Sequence, residues 1–134
     1  MKANRNVYKL KASSPAVFTL IGISSHENDY RLSWSLNEHM RLSFTKSYSL
    51  ITDLEKVFTI FVHEDDDKSL TLVSNLCDDG FLLEKHKNLD FILKFDVQLS
   101  DAELSAWLHD LKKIPLISTA YIIPIDKRAL QLFG

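Results

Sequence analysis

The densest group of side chains able to do chemistry is the run His63-Glu64-Asp65-Asp66-Asp67. Asp65, Asp67 and Ser69 have the alternating spacing that opens an EF-hand calcium loop. That loop also needs a glycine at its sixth position and a bidentate glutamate at its twelfth, and here those positions are Leu70 and Leu76. The run is therefore expected to be a solvated hairpin tip, its aspartates serving the turn. Zinc fares no better. The histidines form no HExxH pair, and the single cysteine, Cys77, cannot complete a structural site. No metal and no cofactor are expected.

Nucleophiles are equally poorly served. Cys77 lies beside Asp78 and Asp79, which disfavour its thiolate. No serine sits in a GxSxG elbow. A glycine-rich phosphate loop needs more than Gly22, Gly80 and Gly134. His109 falls on the polar side of a helix and reads as solvated. No catalytic residue is expected, and two residues remain as candidates for ligand binding. Trp34 lies beside an apolar helix stripe, where core is the favoured reading and a ligand shelf the alternative. Asp90 interrupts the apolar strand Leu89-Asp90-Phe91-Ile92-Leu93, where a carboxylate must be paired or wet. Lys94 shares its face and suggests water, hence a structural role near a sheet edge.

Charge excludes other classes. Lys and Arg number 16 against 18 Asp and Glu, and both halves of the chain carry the same balance. A duplex-DNA binder needs a concentrated basic face, which this chain lacks. The stretch Arg41 to Tyr48 mixes Arg41 and Lys46 with Phe44 and Tyr48, as single-stranded RNA platforms do. It has no RNP-like signature, and RNA binding is disfavoured. The apolar run 16–23 follows Lys2, Arg5, Lys9 and Lys11, but it is short for a secretory signal and broken by Thr19. No run approaches the roughly 20 apolar residues of a membrane span. With one cysteine, the chain is expected in the cytoplasm.

The elements that must position these residues follow from periodicity. Residues 7–11 and 17–23 read as strands. A helix is expected from His26 to Met40, capped by Ser25, with Leu32, Leu36 and Met40 inward and Tyr30 and Trp34 on a flanking stripe. Alternation from Met40 to Tyr48 reads as a half-solvated strand. Strands are expected at 57–63 and 69–75, a turn at 77–80, and strands at 81–83 and 89–97. Ser100-Asp101-Ala102-Glu103 is a capping box. Leu104, Trp107, Leu108 and Leu111 form the stripe behind it, and Pro115 ends the helix. Leu116 to Ile123 is apolar at nearly every position, as in a strand covered on both faces. Asp126 caps a last helix. With 134 residues and 46% hydrophobic content, the chain is expected to be one domain, 1–134. Its fold class is α+β: a mixed, mostly antiparallel sheet, helices on one face, and a C-terminal strand–helix–strand unit.

Three segments, Phe18-x-Leu20-Ile21-Gly22-Ile23, Tyr30-Arg31-Leu32-Ser33-Trp34-Ser35-Leu36-Asn37 and Leu89-Asp90-Phe91, resemble the small bacterial IPExxxVDY family. Where the name motif falls, the chain has Leu83-Glu84-Lys85, three residues, then Leu89-Asp90-Phe91, so Asp90 is the residue retained outright. The resemblance implies a cytoplasmic bacterial protein with no assigned activity and no catalytic residue. Two functional readings follow. The first is a non-enzymatic interaction or regulatory module, homodimeric because long β-rich stretches need an edge partner. The second is a small-molecule-binding protein or an undescribed enzyme with a pocket between helix and sheet.

Overall fold

The computed structural model describes residues 18–52, 55–65, 68–77 and 80–134. The strand expected at 7–11 lies outside them. Among the described residues the main sheet has the order β10-β1-β9-β6-β5-β2. Its strands are β1 (Thr19–Ser25), β2 (Thr45–Lys46), β5 (Ile60–Glu64), β6 (Ser69–Ser74), β9 (Phe91–Phe95) and β10 (Ile117–Ile122). Two small ribbons accompany it, β3 (Leu50–Ile51) with β4 (Val57–Phe58), and β7 (Leu76–Cys77) with β8 (Gly80–Phe81). Every ladder among these is antiparallel.

The fold is α+β, as the sequence led us to expect. The two long helices, α1 (Asp29–Met40) and α2 (Asp101–Lys112), share one face of the sheet. There Leu32, Leu36 and Leu111 meet Ile21, Ile23, Leu72, Leu93 and Phe95. The short helix α3 (Lys127–Phe133) belongs to a second core on the opposite face, where Ala129 and Phe133 join Leu20, Phe58, Ile92 and Leu89. Side chains alternate along a strand, so the odd positions of β1 and β9 serve the first core and the even ones the second. All five residues of β9 are buried. At roughly 1.5–3 kcal/mol for each large apolar side chain removed from water, this central strand anchors the fold.

Local chemistry explains where the elements begin. Ser100 Oγ accepts the Glu103 N–H and Glu103 Oε1 accepts the Ser100 N–H, completing the expected capping box. Asp126 caps α3 by accepting the Ala129 N–H at 2.9 Å. Helix α1 starts three residues later than expected. Its cap is Asn28, which accepts the Arg31 N–H, while Ser25 ends β1. Gly22 is required by packing: a Cβ there would overlap the Leu89 side chain laid across it. In the C-terminal strand–helix–strand unit, β1 lies between β9 and β10 and runs antiparallel to both. The two strands of the unit, β9 and β10, are therefore parallel but one strand apart, and β10 is the outermost strand.

Candidate functional site

Asp90 is half-buried and hydrogen-bonded through its side chain and its backbone. Its carboxylate accepts the Ser25 N–H at 2.8 Å, its own N–H donates to Ile23 O, and its carbonyl accepts the Asn75 N–H. It clips the irregular end of β1 to the start of β9. Lys94 overturns the argument for water. It is 5% exposed, its Nζ donating to Asp96 Oδ1 at 3.0 Å and lying over the Phe18 ring. The aliphatic stem is buried and the ammonium is served locally.

Trp34 is not core. It is 62% exposed, because it follows Leu32 by two residues and so lies about 200° round the helix from it. Tyr30 shares that outward stripe, its ring edge against Phe61 and under Lys46 Nζ. The expected strand from Met40 to Tyr48 shortens to β2. Phe44 is buried, its backbone N–H and carbonyl both bonded by the Asn37 side chain, so it offers no surface for a base. Ser43 and Lys46 have SxxK spacing, a signal the sequence reading missed. That spacing delivers lysine to serine on a helix. Here Lys46 lies on extended chain, over the Tyr30 ring.

Asp65 leaves β5 toward β6 at the expected hairpin, and Asp66 and Asp67 lie outside the described residues. Asp65 accepts the Lys68 N–H through Oδ1, and its backbone N–H bonds Lys68 O. His63 is buried, and its Nδ1 accepts the Ser43 N–H at 2.9 Å. A backbone N–H only donates, so the ring proton sits on Nε2, which points at Asp65 Oδ2 at 3.0 Å. Among the described residues no three His, Cys, Asp or Glu side chains form a metal-holding group. Cys77 is half-buried in its ribbon, and His109 is exposed on α2.

Two features stand out. The first is the β10 edge. Ile123 N–H bonds Leu20 O, and the ladder pairs Ile122 with Ile21 and Ala120 with Ile23. Antiparallel bonding alternates, so the N–H and carbonyl groups of Ala120 and Ile122 point away from β1. Ser118, Thr119 and Ile122 are exposed, Ile122 by 45%. The sequence read this strand as covered on both faces. One face is covered, with Ile117 and Ala120 buried in the first core, while its place at the end of the sheet leaves the outer edge open among the described residues.

The second feature is a cavity of about 300 Å³ on the α3 face of the sheet. It lies between the β3–β4 ribbon, the segment 81–86 and α3, with Phe58, Leu82, Leu83, Ile123 and Ala129 as its apolar lining. Its wall is fixed by Asn75, which is fully buried. The Asn75 amide donates to His86 O and Leu89 O, and its Oδ1 accepts the Leu83 N–H. The sequence reading missed Asn75, since its three partners lie 8 to 14 residues away. At the rim, Lys56 pairs with Glu84 at 3.8 Å and Lys85 with Asp126 at 3.4 Å. The Ala129 N–H, followed by the nearby Lys85, holds the Asp126 carboxyl below the usual range.

Compared with known proteins, the chain matches no family model and no curated sequence. Among the described residues no helix is long and apolar enough to cross a membrane.

Proposed function

We propose that this chain is a non-enzymatic interaction module that works as a homodimer, two copies joined edge to edge through β10. The observation carrying the reading is the mismatch at that strand: a composition suited to a covered position on an edge with outward-facing backbone groups. Proteins keep open edges apart with charges, prolines or bulges. From Leu116 to Ile123 there is no charge and no proline. A second copy running antiparallel meets its own sequence, with no like charges to oppose it and matching donors and acceptors to satisfy. Ile122 and Ile125, both exposed, add apolar area in and just after the strand. The family resemblance supports a cytoplasmic, bacterial setting, and the near-even charge gives nucleic acid little to hold.

Size-exclusion chromatography with light scattering tests this on the full chain at tens of micromolar. A mass twice 15.4 kDa is expected. A mass of one chain at that concentration overturns the reading.

A further inference from the structure

The cavity behind α3 carries an inference independent of strand pairing. Its interior is apolar, and its volume sits at the small end of the roughly 300–1,000 Å³ typical of ligand pockets. Its charges are not evenly spent. The Asp126 carboxylate already accepts the Ala129 N–H and pairs with Lys85, and Glu84 is mostly in water. Lys56 is different. Its side chain is only 19% exposed, and its ion pair with Glu84 is long, at 3.8 Å. Its Nζ rests against Gly80, where a Cβ would come within 2.7 Å and push the ammonium away. Arg128, half-buried, lines the same cavity from α3. A cation held inward, whose ion pair among the described residues is this long, favours an anion at that mouth.

We propose that this cavity binds a small amphipathic monocarboxylate, its apolar body on Phe58, Leu82, Ile123 and Ala129 and its carboxylate at Lys56, with Arg128 lining the same cavity. Fixed Asn75 bonds keep the wall formed before the ligand arrives, which lowers the ordering cost of binding.

Isothermal titration calorimetry of the full chain with octanoate and with 1-octanol tests the proposal. Octanoate is expected to bind at one per chain, about tenfold tighter than the alcohol, the worth of one charge-assisted hydrogen bond. Lys56→Met should remove that tenfold preference while leaving octanol binding and the circular dichroism spectrum unchanged. Ala129→Leu, which fills the cavity, should weaken both ligands. Should the Leu variant fail to fold, the Lys56→Met comparison decides alone. No octanoate binding up to about 10 mM, or equal affinity for acid and alcohol, would overturn the proposal.

Discussion

The two ends of the sheet solve the edge-strand problem differently. At one end β2 has only two residues, and Lys46 on it lies over the Tyr30 ring of α1. A short strand bearing a charge is a poor template for another chain. At the other end β10 has six residues, carries no charge, and turns the Ala120 and Ile122 backbone groups outward. The first edge is finished within the chain. The second has the sequence of an interior strand and, in our reading, becomes one only when a second copy adds to it. An edge is thus defined by what its residues would tolerate beside them, as much as by its place in the sheet.

The sharpest way to break this contrast is to charge the open edge. Ile122→Lys sets like charges across the proposed seam and should weaken the dimer at least 100-fold, given costs of several kcal/mol for such juxtapositions. Light scattering should then report one chain, with the thermal midpoint extrapolated to low concentration little changed. Lys46→Ala at the finished edge should leave the mass alone.

Changes away from either edge should lower stability without altering mass at concentrations where the chain is folded. Asn75→Ala strands the Leu83 N–H and the Leu89 carbonyl in a buried site, while the His86 carbonyl keeps the Leu89 N–H. Its cost should be about 3 kcal/mol in urea denaturation, from unmet buried groups. Trp107, half-buried with its ring edge-on to Phe95 at 4.8 Å, packs less completely than a core tryptophan. Trp107→Ala should cost about 2–3 kcal/mol, below the range of roughly 3–5 for full burial. An unshifted midpoint would show that the ring does not anchor α2.

The caps give the smallest effects and a signed pH dependence. Ser100→Ala should cost about 1 kcal/mol at neutral pH. The Ser100 backbone N–H, then its hydroxyl, holds the Glu103 carboxyl below its usual value, and the Ala129 N–H does the same for Asp126. A carboxyl lowered on folding contributes stability that is complete above the unfolded value, roughly pH 4, and lost as pH falls through the folded value. Asp126→Asn keeps a capping oxygen and removes the titration, so its acid melting curve should be flatter. Parallel acid limbs for the two proteins would contradict this.

What was legible in the sequence was local. The capping box at Ser100 and the stripe from Leu104 to Leu111 involve neighbours within one helix, and both are present as expected. Trp34 misled because a helix has a back as well as a flank, and two residues from Leu32 is the back. Lys94 misled because a lysine can bury its stem when a carboxylate such as Asp96 lies within reach. The sequence offered a pocket between helix and sheet only as an alternative and named for it none of the residues that line this cavity. Its walls come from segments far apart in the chain, joined by the buried Asn75 amide. The exposure of β10 depends on β1 lying between it and β9, a long-range pairing that periodicity does not carry.

Amide hydrogen exchange at Ala120 and Ile122, followed by NMR over a range of protein concentrations, tests the central claim most directly. These N–H groups point out of the sheet, so in a single chain they exchange freely, and in the paired edge they are hydrogen-bonded. The account predicts protection at both amides that rises with concentration, while neighbours bonded to β1, such as Ile123, stay protected throughout. Fast exchange at Ala120 and Ile122 at every concentration would contradict the account. So would protection independent of concentration, which would mean that the chain covers its own edge.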